Sequence, residues 1–180
     1  MIEHIPELVR AGIDSFKIEG RAKTAYYAAG ITSAYRRAVD AYMQNPEGFI
    51  LAEDIRAEIG KVSHRNYYTG FYFGAEECGQ FYEDSHYIRD WEVTGLWDSC
   101  DAQGNAVFRL KNRFFSGDTL ELIQPGQAPY RFAVTEMTDD EGNLLPVAHH
   151  PEMRVHLKLP FEAAPYAILR KETGESIDKQ

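Results

Sequence analysis

The chain has 180 residues, 44% of them hydrophobic and 26% charged, with a formal net charge of −9 at pH 7. This length suits one medium domain or two small ones, and the apolar content is enough to build a core. No apolar run approaches the roughly 18 residues that a membrane helix requires, and no signal peptide is recognisable. The two cysteines, Cys78 and Cys100, form no CxxC motif. The composition therefore predicts a cytoplasmic protein without a membrane partner.

The charge is distributed unevenly along the chain. Residues 1–75 contain nine Lys/Arg and nine Asp/Glu, whereas residues 76–180 contain ten and nineteen. Nucleic-acid affinity comes largely from neutralising phosphates with basic side chains. The second half is therefore predicted to be a poor general nucleic-acid binder, while the balanced first half leaves room for a local basic face.

Helices and a single strand are predicted in the first 75 residues, in the order helix, strand, helix, helix. Apolar residues at helical spacing predict helices over 4–11, 24–44 and 51–59. Gly12 fits the C-terminal cap of the first helix, and the sequence IDSFKI at 13–18 predicts a buried strand. One strand cannot close a sheet and would keep two open edges. We therefore expect partner strands from a missing N-terminal region of a longer protein.

Charged residues gather at the end of that predicted strand, at Lys17, Glu19, Arg21 and Lys23. In βα architectures, ligands bind at the C-terminal ends of the strands. The free N–H groups at the start of the following helix favour an anion, and an arginine fork suits a carboxylate or a phosphate. The stretch therefore predicts either an anion-binding rim or an ordinary turn with an exposed Glu–Arg pair.

A different pattern follows the helices. Residues 76–86 are predicted to be a linker, residues 87–172 a small antiparallel β-barrel domain, and residues 173–180 a flexible tail. Five or six short alternating strands are separated by turn-rich segments such as AQGN, PGQAP and DDEGN. Strands at this spacing are typical of a small antiparallel barrel or sandwich.

Several motifs together resemble those of the collagenase-like peptidases, peptidase family U32. They are GIDSFKIEGR, YRRAVDAY and KVSHRNYYTGFYFG, followed less specifically by NRFFSGDTLELIQP. The resemblance implies an α+β chain in which residues 1–75 end a (β/α)-barrel catalytic domain and a small antiparallel β-barrel follows. Lys17, Glu19 and Arg21 would then lie at the substrate-binding rim. Lys23 is predicted to belong to the same rim, and His64 and Arg65 are predicted either to contact it or simply to join the two domains.

The resemblance also bears on cofactor and activity. In family members that hydroxylate transfer or ribosomal RNA, or a quinone precursor, upstream cysteines hold an iron–sulfur cluster, which usually takes four thiolates. Cys78 and Cys100 do not match those positions. The resemblance therefore implies no cofactor in this chain and a possible cluster in the full-length protein. Because no nucleophile, metal or carboxylate pair is complete, we expect no peptidase activity from the chain alone.

Other candidate residues carry weaker signals. His149, His150 and His156 are close in sequence, but adjacent histidines would point apart on a strand, so no metal site is predicted. Ser63 and His64 lack the elbow motif of a hydrolase. A tyrosine cluster is interpreted as interdomain packing rather than base stacking: Tyr67, Tyr68 and Tyr72. Asp139, Asp140 and Glu141 are predicted to form a solvated turn, since calcium-ligand spacing is missing.

Two functional hypotheses follow. In the first, the chain is the C-terminal part of a U32 protein, either a collagenase-like protease or a protein of tRNA or rRNA hydroxylation. Its partners would be the missing N-terminal barrel half and a peptide or RNA substrate, with the β-barrel as an accessory substrate-docking module. In the second, the chain is a non-enzymatic β-barrel module that binds RNA or protein.

Overall fold

A computed structural model describes residues 1–74 and 87–174. The chain divides into two compact units, Met1–Asp90 and Trp91–Gln180. The predicted linker over 76–86 and most of the predicted tail over 173–180 lie outside the described residues.

The first unit contains three α-helices among its described residues. They are α1 Ile5–Arg10, α2 Ala25–Gln44 and α3 Glu53–Glu58, with short 3₁₀ turns at Ile2–His4 and Ile59–Lys61. All three predicted helices are confirmed. The two shorter ones are shorter than predicted because 3₁₀ turns flank them.

The helix ends follow the local sequence. Gly12 has a positive φ of 78° after α1, and its N–H donates to Val9 O at 3.0 Å, while Ile13 N–H donates to Leu8 O at 3.2 Å. This pair of bonds is a Schellman motif, which satisfies carbonyls at the end of the helix. At the start of α2, the Thr24 side chain accepts a hydrogen bond from Tyr27 N at 3.2 Å, as an N-cap does.

A small helical core holds the first unit together. Its buried members share one stripe of α2 and the facing sides of the other helical segments: Ile2, Ile5, Ala34, Ala38, Tyr42 and Ile55. Gly30 lets α2 approach its neighbour closely, because a Cβ there would lie 2.9 Å from Val62 Cγ1. Tyr35, next to the buried Ala34 on α2, is only half-buried.

The predicted strand over 13–18 is not formed in this structure. Residues 13–20 take part in no strand ladder, and Ile13 is 45% exposed. A strand needs a hydrogen-bonded neighbour, and the described residues of this unit offer only an isolated bridge between His64 and Ile88. The predicted end of a (β/α)-barrel is therefore not confirmed.

The second unit is antiparallel β structure throughout its described residues. Its strands are β1 Trp91–Cys100, β2 Asn105–Leu110, β3 Phe114–Phe115, β4 Thr119–Ile123, β5 Tyr130–Ala133, β6 Met137–Thr138, β7 Val147–Ala148, β8 Arg154–Lys158 and β9 Ile168–Glu172. Seven of them form one sheet in the order β5-β4-β9-β1-β2-β8-β6, and β3 pairs with β7. The predicted antiparallel fold is confirmed, but the sheet stays open because its two edge strands, β5 and β6, do not pair.

The sheet curls around one apolar core. Residues from its centre and from both edges belong to the same cluster: Phe108, Leu120, Phe132, Met137, Val155 and Leu169. A flat sheet could not bring its two edges into one core. The fold is thus barrel-like in its packing, although its backbone pairing does not close.

Two hairpin turns share the pattern D-x-x-G-N. In the first, Asp101 Oδ1 accepts from Gln103 N at 3.0 Å and Asn105 N at 2.9 Å. In the second, residues 139–143, Asp139 Oδ1 accepts from Asn143 N at 2.8 Å. These hydrogen bonds stabilise the ionised form, so the pKa of each aspartate lies below its usual value. The interpretation of residues 139–141 as a turn is confirmed.

One ion pair is buried between β4 and β9. Arg170 Nη2 and Nε donate to Glu121 Oε2 at 2.7 and 3.1 Å, and the two residues are direct cross-strand partners. The guanidinium carbon lies 5.1 Å from the centroid of the Trp91 ring. A charge removed from water needs such a partner, since an unpaired buried charge is very costly.

Candidate functional site

The structure separates the six predicted site residues into two groups. Lys23, His64 and Arg65 lie together with residues near position 88. Lys17, Glu19 and Arg21 are exposed on the segment before α2. Within the described residues, no hydrogen bond or ring contact joins this second group to the first.

Glu19 interacts with the main chain rather than with a neighbouring guanidinium. Its Oε1 accepts a hydrogen bond from Arg21 N at 2.8 Å, which closes a local turn around Gly20. This contact gives Glu19 a structural role in the turn.

Three cationic side chains surround one tyrosine ring, and we call this group the Tyr87 cluster. Lys23 Nζ lies 3.9 Å from the centroid of the Tyr87 ring, Arg65 Cζ 4.8 Å and Arg89 Cζ 5.6 Å. Each is within the distance at which a cation is attracted to the negative face of an aromatic ring. The cluster therefore comprises Lys23, Arg65 and Arg89 around Tyr87.

Backbone pairing and Ser63 fix the positions of these cations. His64 N donates to Ile88 O at 3.2 Å and Ile88 N donates to His64 O at 2.8 Å, which joins the two segments that carry Arg65 and Arg89. The Ser63 carbonyl accepts from Lys23 Nζ at 3.1 Å, and the Ser63 hydroxyl accepts from Arg89 Nε at 3.3 Å. Hydrogen bonds to Ser63 thus hold the charges of Lys23 and Arg89, while Arg65 is positioned through the backbone segment that carries it.

A second aromatic pair lies beside this backbone bridge. The rings of His64 and Tyr67 stack with centroids 4.8 Å apart and planes 3° apart. Tyr67 OH donates to Ile59 O at 2.9 Å, and burial, with the nearby hydroxyls of Tyr27 and Tyr35, raises the pKa of Tyr67 to about 12. The phenol therefore stays neutral at physiological pH and acts as a donor. Its ring is still 50% exposed.

The Tyr87 cluster carries unbalanced positive charge within the described part of the chain. No carboxylate of residues 1–74 or 87–174 is in ion-pair contact with Lys23, Arg65 or Arg89. Surface cations elsewhere do have such partners, as Arg37 has Asp54. All three charges lie within 5.6 Å of one point, which is inside the Debye length of about 8 Å at physiological salt. They repel one another, and an anion would relieve that repulsion.

Sequence reasoning missed two members of this cluster, Tyr87 and Arg89. Both were assigned to the first strand of the β-barrel, whereas the structure places them in the first unit. Their alternation around Ile88 puts both side chains on one side of an extended segment. That pattern was visible in the sequence, but the partner segment at 63–65 was not.

The serine and histidine residues considered as weaker candidates do not form a catalytic arrangement. His64 Nδ1 faces Val62 O at 2.8 Å, while the Ser63 hydroxyl accepts from Arg89, so the two neighbours form no nucleophile–base pair. His149 and His150 lie beyond β7 rather than on a strand, and their ring centroids are 4.0 Å apart. The expectation that they point apart is therefore wrong.

The described residues do not fit an iron–sulfur cluster. They contain no group of three or more His, Cys, Asp or Glu side chains that could hold a metal ion. Cys100 Sγ accepts a hydrogen bond from Ala163 N at 3.2 Å and is half-buried, which is typical of a structural thiol. Cys78 lies outside the described residues.

Comparison with known proteins places the whole chain in one family. Residues 1–81 match the sequence model of peptidase family U32, and residues 89–170 match the model of the peptidase family U32 C-terminal domain. The two matches follow one another along nearly the whole chain. The chain therefore belongs to peptidase family U32, as its motifs predicted.

Individual relatives differ in how much of the chain they cover. The tRNA hydroxylation protein P1 of Bacillus subtilis (strain 168) is 33% identical over 175 residues, which is 95% of this chain and 41% of that protein. A protein named as an uncharacterized protease of Methanocaldococcus jannaschii is 49% identical over 73 residues, 41% of this chain and 17% of that protein. The chain thus spans about two-fifths of the length of the Bacillus subtilis protein.

A solved structure is similar to part of the chain. It is the selenomethionine form of the C-terminal domain of a protein named as a U32 peptidase from Geobacillus thermoleovorans. It is 31% identical, with a TM-score of 0.42, and the match covers 44% of this chain and 99% of that domain.

No helix among the described residues combines the length and apolar character needed to cross a bilayer.

Proposed function

We propose that this chain is the C-terminal part of a U32 protein that takes part in tRNA hydroxylation in the cytoplasm. The observation that carries the proposal is the 33% identity with the tRNA hydroxylation protein P1 across 95% of the chain. That similarity runs through both units, whereas the protease-named relative matches only 41% of the chain. The Ser63–His64 geometry also gives no support to serine-type hydrolysis.

Each unit has a distinct role in this proposal. Unit 1 completes a (β/α)-barrel with a preceding part of the protein, which would supply partner strands to residues 13–18. The support is that this extended segment has no ladder partner among the described residues. Unit 2 would be an accessory substrate-docking module, and its own hydrophobic core is consistent with a distinct module. Because Cys100 and its neighbours do not fit a cluster, the cysteines for iron–sulfur chemistry would come from elsewhere in the complete protein.

The test removes the gene for the complete protein and measures tRNA nucleosides by mass spectrometry. We expect the loss of a nucleoside that is heavier by one oxygen atom than its parent. The complete gene should restore it, and a gene lacking residues 91–180 should restore less of it at equal protein level. Unchanged nucleosides in the deletion strain would refute the hydroxylation role, and full restoration by the truncated gene would refute the docking role.

A further inference from the structure

The feature with no role so far is the charge of the Tyr87 cluster. In a chain of net charge −9, several exposed cations of the described residues are paired with carboxylates. Arg36 pairs with Asp40 at 2.6 Å, and Arg154 pairs with Asp98 at 3.1 Å. The Tyr87 cluster instead concentrates three cations around one ring, and no carboxylate of the described residues is in ion-pair contact with any of them.

The donors of the cluster are only partly used. Arg65 makes no hydrogen bond within the described residues, and the hydrogen bond that the Arg89 side chain donates there engages its Nε alone. A guanidinium has five N–H donors in a planar fork, which matches the oxygens of a phosphate. The site therefore offers converging donors as well as charge.

Exposed aromatic rings accompany these donors. Tyr87 is 40% exposed and Tyr67 is 50% exposed, and the neighbouring Tyr68, Phe71 and Tyr72 are more exposed still. Aromatic rings beside a basic surface are the combination with which proteins bind single-stranded nucleic acid, because unpaired bases stack on the rings while cations contact the backbone. An acidic peptide would use the cations but would have no need of the rings.

From this arrangement we infer that the Tyr87 cluster binds a phosphodiester of a single-stranded RNA segment, with the exposed tyrosine rings stacking on adjacent bases. The inference rests on the proposed function and deepens it, because it names where the first unit would contact the RNA. Arg65 and Arg89 contact the phosphate, and the Lys23 ammonium, which is held by the Ser63 carbonyl, adds to their positive charge. The Tyr87 ring gathers the three cations, and the more exposed tyrosine rings nearby in sequence stack on the bases.

The experiment measures binding of a fluorescent single-stranded oligoadenylate to the 180-residue chain by anisotropy at several salt concentrations. The test variant is R65Q/R89Q, which removes two charges and leaves Lys23 on Ser63. The matched control is R113Q, because the Arg113 guanidinium also lies over an aromatic ring, at 5.5 Å from Phe115, but in the second unit. Circular dichroism checks that each variant is folded.

We expect R65Q/R89Q to weaken binding at low salt by at least about tenfold. The slope of log K against log salt should flatten by about 1.4, since each lost phosphate contact on a single strand contributes about 0.7. Y87L should weaken binding by about fivefold because the ring that gathers the three cations is lost, and R113Q should change it by less than about twofold.

Three results would overturn the inference: no binding by the wild-type chain at low salt, equal binding by R65Q/R89Q, or displacement of the RNA by an oligoglutamate peptide of equal charge. The complete protein separates this inference from the proposed function. If R65Q/R89Q fully restores the oxygen-bearing nucleoside to a deletion strain, the RNA site is wrong and the hydroxylation role stands. If the deletion leaves tRNA unchanged while oligoadenylate binding still depends on the cluster, the hydroxylation role is wrong and the RNA site stands.

Discussion

In the second unit every long strand has a hydrogen-bonded neighbour, whereas the extended segment 13–20 of the first unit has none among the described residues. The aromatic side chains differ in the same way. Phe108 and Phe114 are fully buried in the second unit, while Phe71 and Tyr72 of the first are largely exposed. The second unit thus pairs the backbone of its long strands internally and buries an aromatic core, although Tyr166 and Leu144 are exposed. The first unit leaves an extended segment without a ladder partner among the described residues and several aromatic side chains exposed.

This difference follows from the connections. Antiparallel strands are joined by short turns, so each finds its neighbour within a few residues of chain. A parallel strand needs a crossover of a dozen or more residues and partners that are distant in sequence. Segment 13–20 is followed by the long helix α2, and no strand that could pair with it is described.

The two regions also have separate spectroscopic probes, since all described helices lie in the first unit and both tryptophans, Trp91 and Trp97, lie in the second.

The largest expected effect is on the buried ion pair of the second unit. Arg170→Met leaves Glu121 buried without its partner, so the free energy of unfolding should fall by about 3–5 kcal/mol. Denaturant unfolding followed by tryptophan fluorescence measures it, and the helical signal of the first unit should be largely unchanged at low denaturant. Adding Glu121→Leu should recover most of the loss. A loss below about 1 kcal/mol in the single variant would show that the pair is not truly buried.

An intermediate effect is expected where a turn of the second unit packs against backbone. A Cβ at Gly104 would lie 2.1 Å from Leu159 O, and φ there is +82°. Gly126 has φ +72° with nothing within 4 Å of a Cβ. Gly126→Ala should therefore cost about 1 kcal/mol from left-handed strain alone, and Gly104→Ala about 2–4 kcal/mol because overpacking adds to it. Equal losses in fluorescence-monitored unfolding would contradict the close approach.

The smallest effect concerns a surface pair of the first unit. A hydrogen bond and ion pair with Arg37 lower the pKa of Asp54, so the ionised carboxylate stabilises the fold above the ordinary aspartate pKa and that contribution is lost as pH falls through the lowered value. Asp54→Asn should reduce stability at pH 7 by less than about 1 kcal/mol, because the Asp54 carboxylate is half-exposed and screened by solvent.

The measurement for Asp54→Asn is thermal unfolding by far-ultraviolet circular dichroism over a pH series. The difference from wild type should shrink as the pH falls below about 4. Glu53→Gln is the matched control in the same helical turn, since Glu53 is 84% exposed and lies 3.7 Å from its partner Arg56. A difference that stays constant down to acid pH would mean that charge is not the cause.

Features that depend on neighbouring residues could be predicted from the sequence, whereas a feature that depends on a distant partner could not. The Gly12 cap, the Thr24 cap and the D-x-x-G-N turns were all predictable because each depends on bonds between residues a few positions apart. The strand over 13–18 was predicted from the same kind of pattern and is not formed. A strand is stabilised by its neighbour, and an apolar, alternating sequence does not show whether that neighbour is present.

The candidate site likewise contains residues that the sequence predicted and residues that it did not. Lys23, His64 and Arg65 were predicted as site residues from their types and from the family resemblance, and the structure brings them together. Tyr87 and Arg89 escaped prediction because they were assigned to the second unit on the basis of strand alternation. Their place beside Lys23 depends on the backbone bridge between His64 and Ile88, which joins residues 24 positions apart.

By itself, the sequence determined the helices, the turns, most of the strands and the U32 family, because periodicity, caps and motifs are local properties of the chain. Tertiary structure alone decided that β9 lies between β1 and β4, that the Arg170 charge is buried against Glu121, and that three cations meet around Tyr87. Each of these features needs contacts between distant segments. Their energy depends on burial and on distances in space, neither of which the order of residues specifies directly.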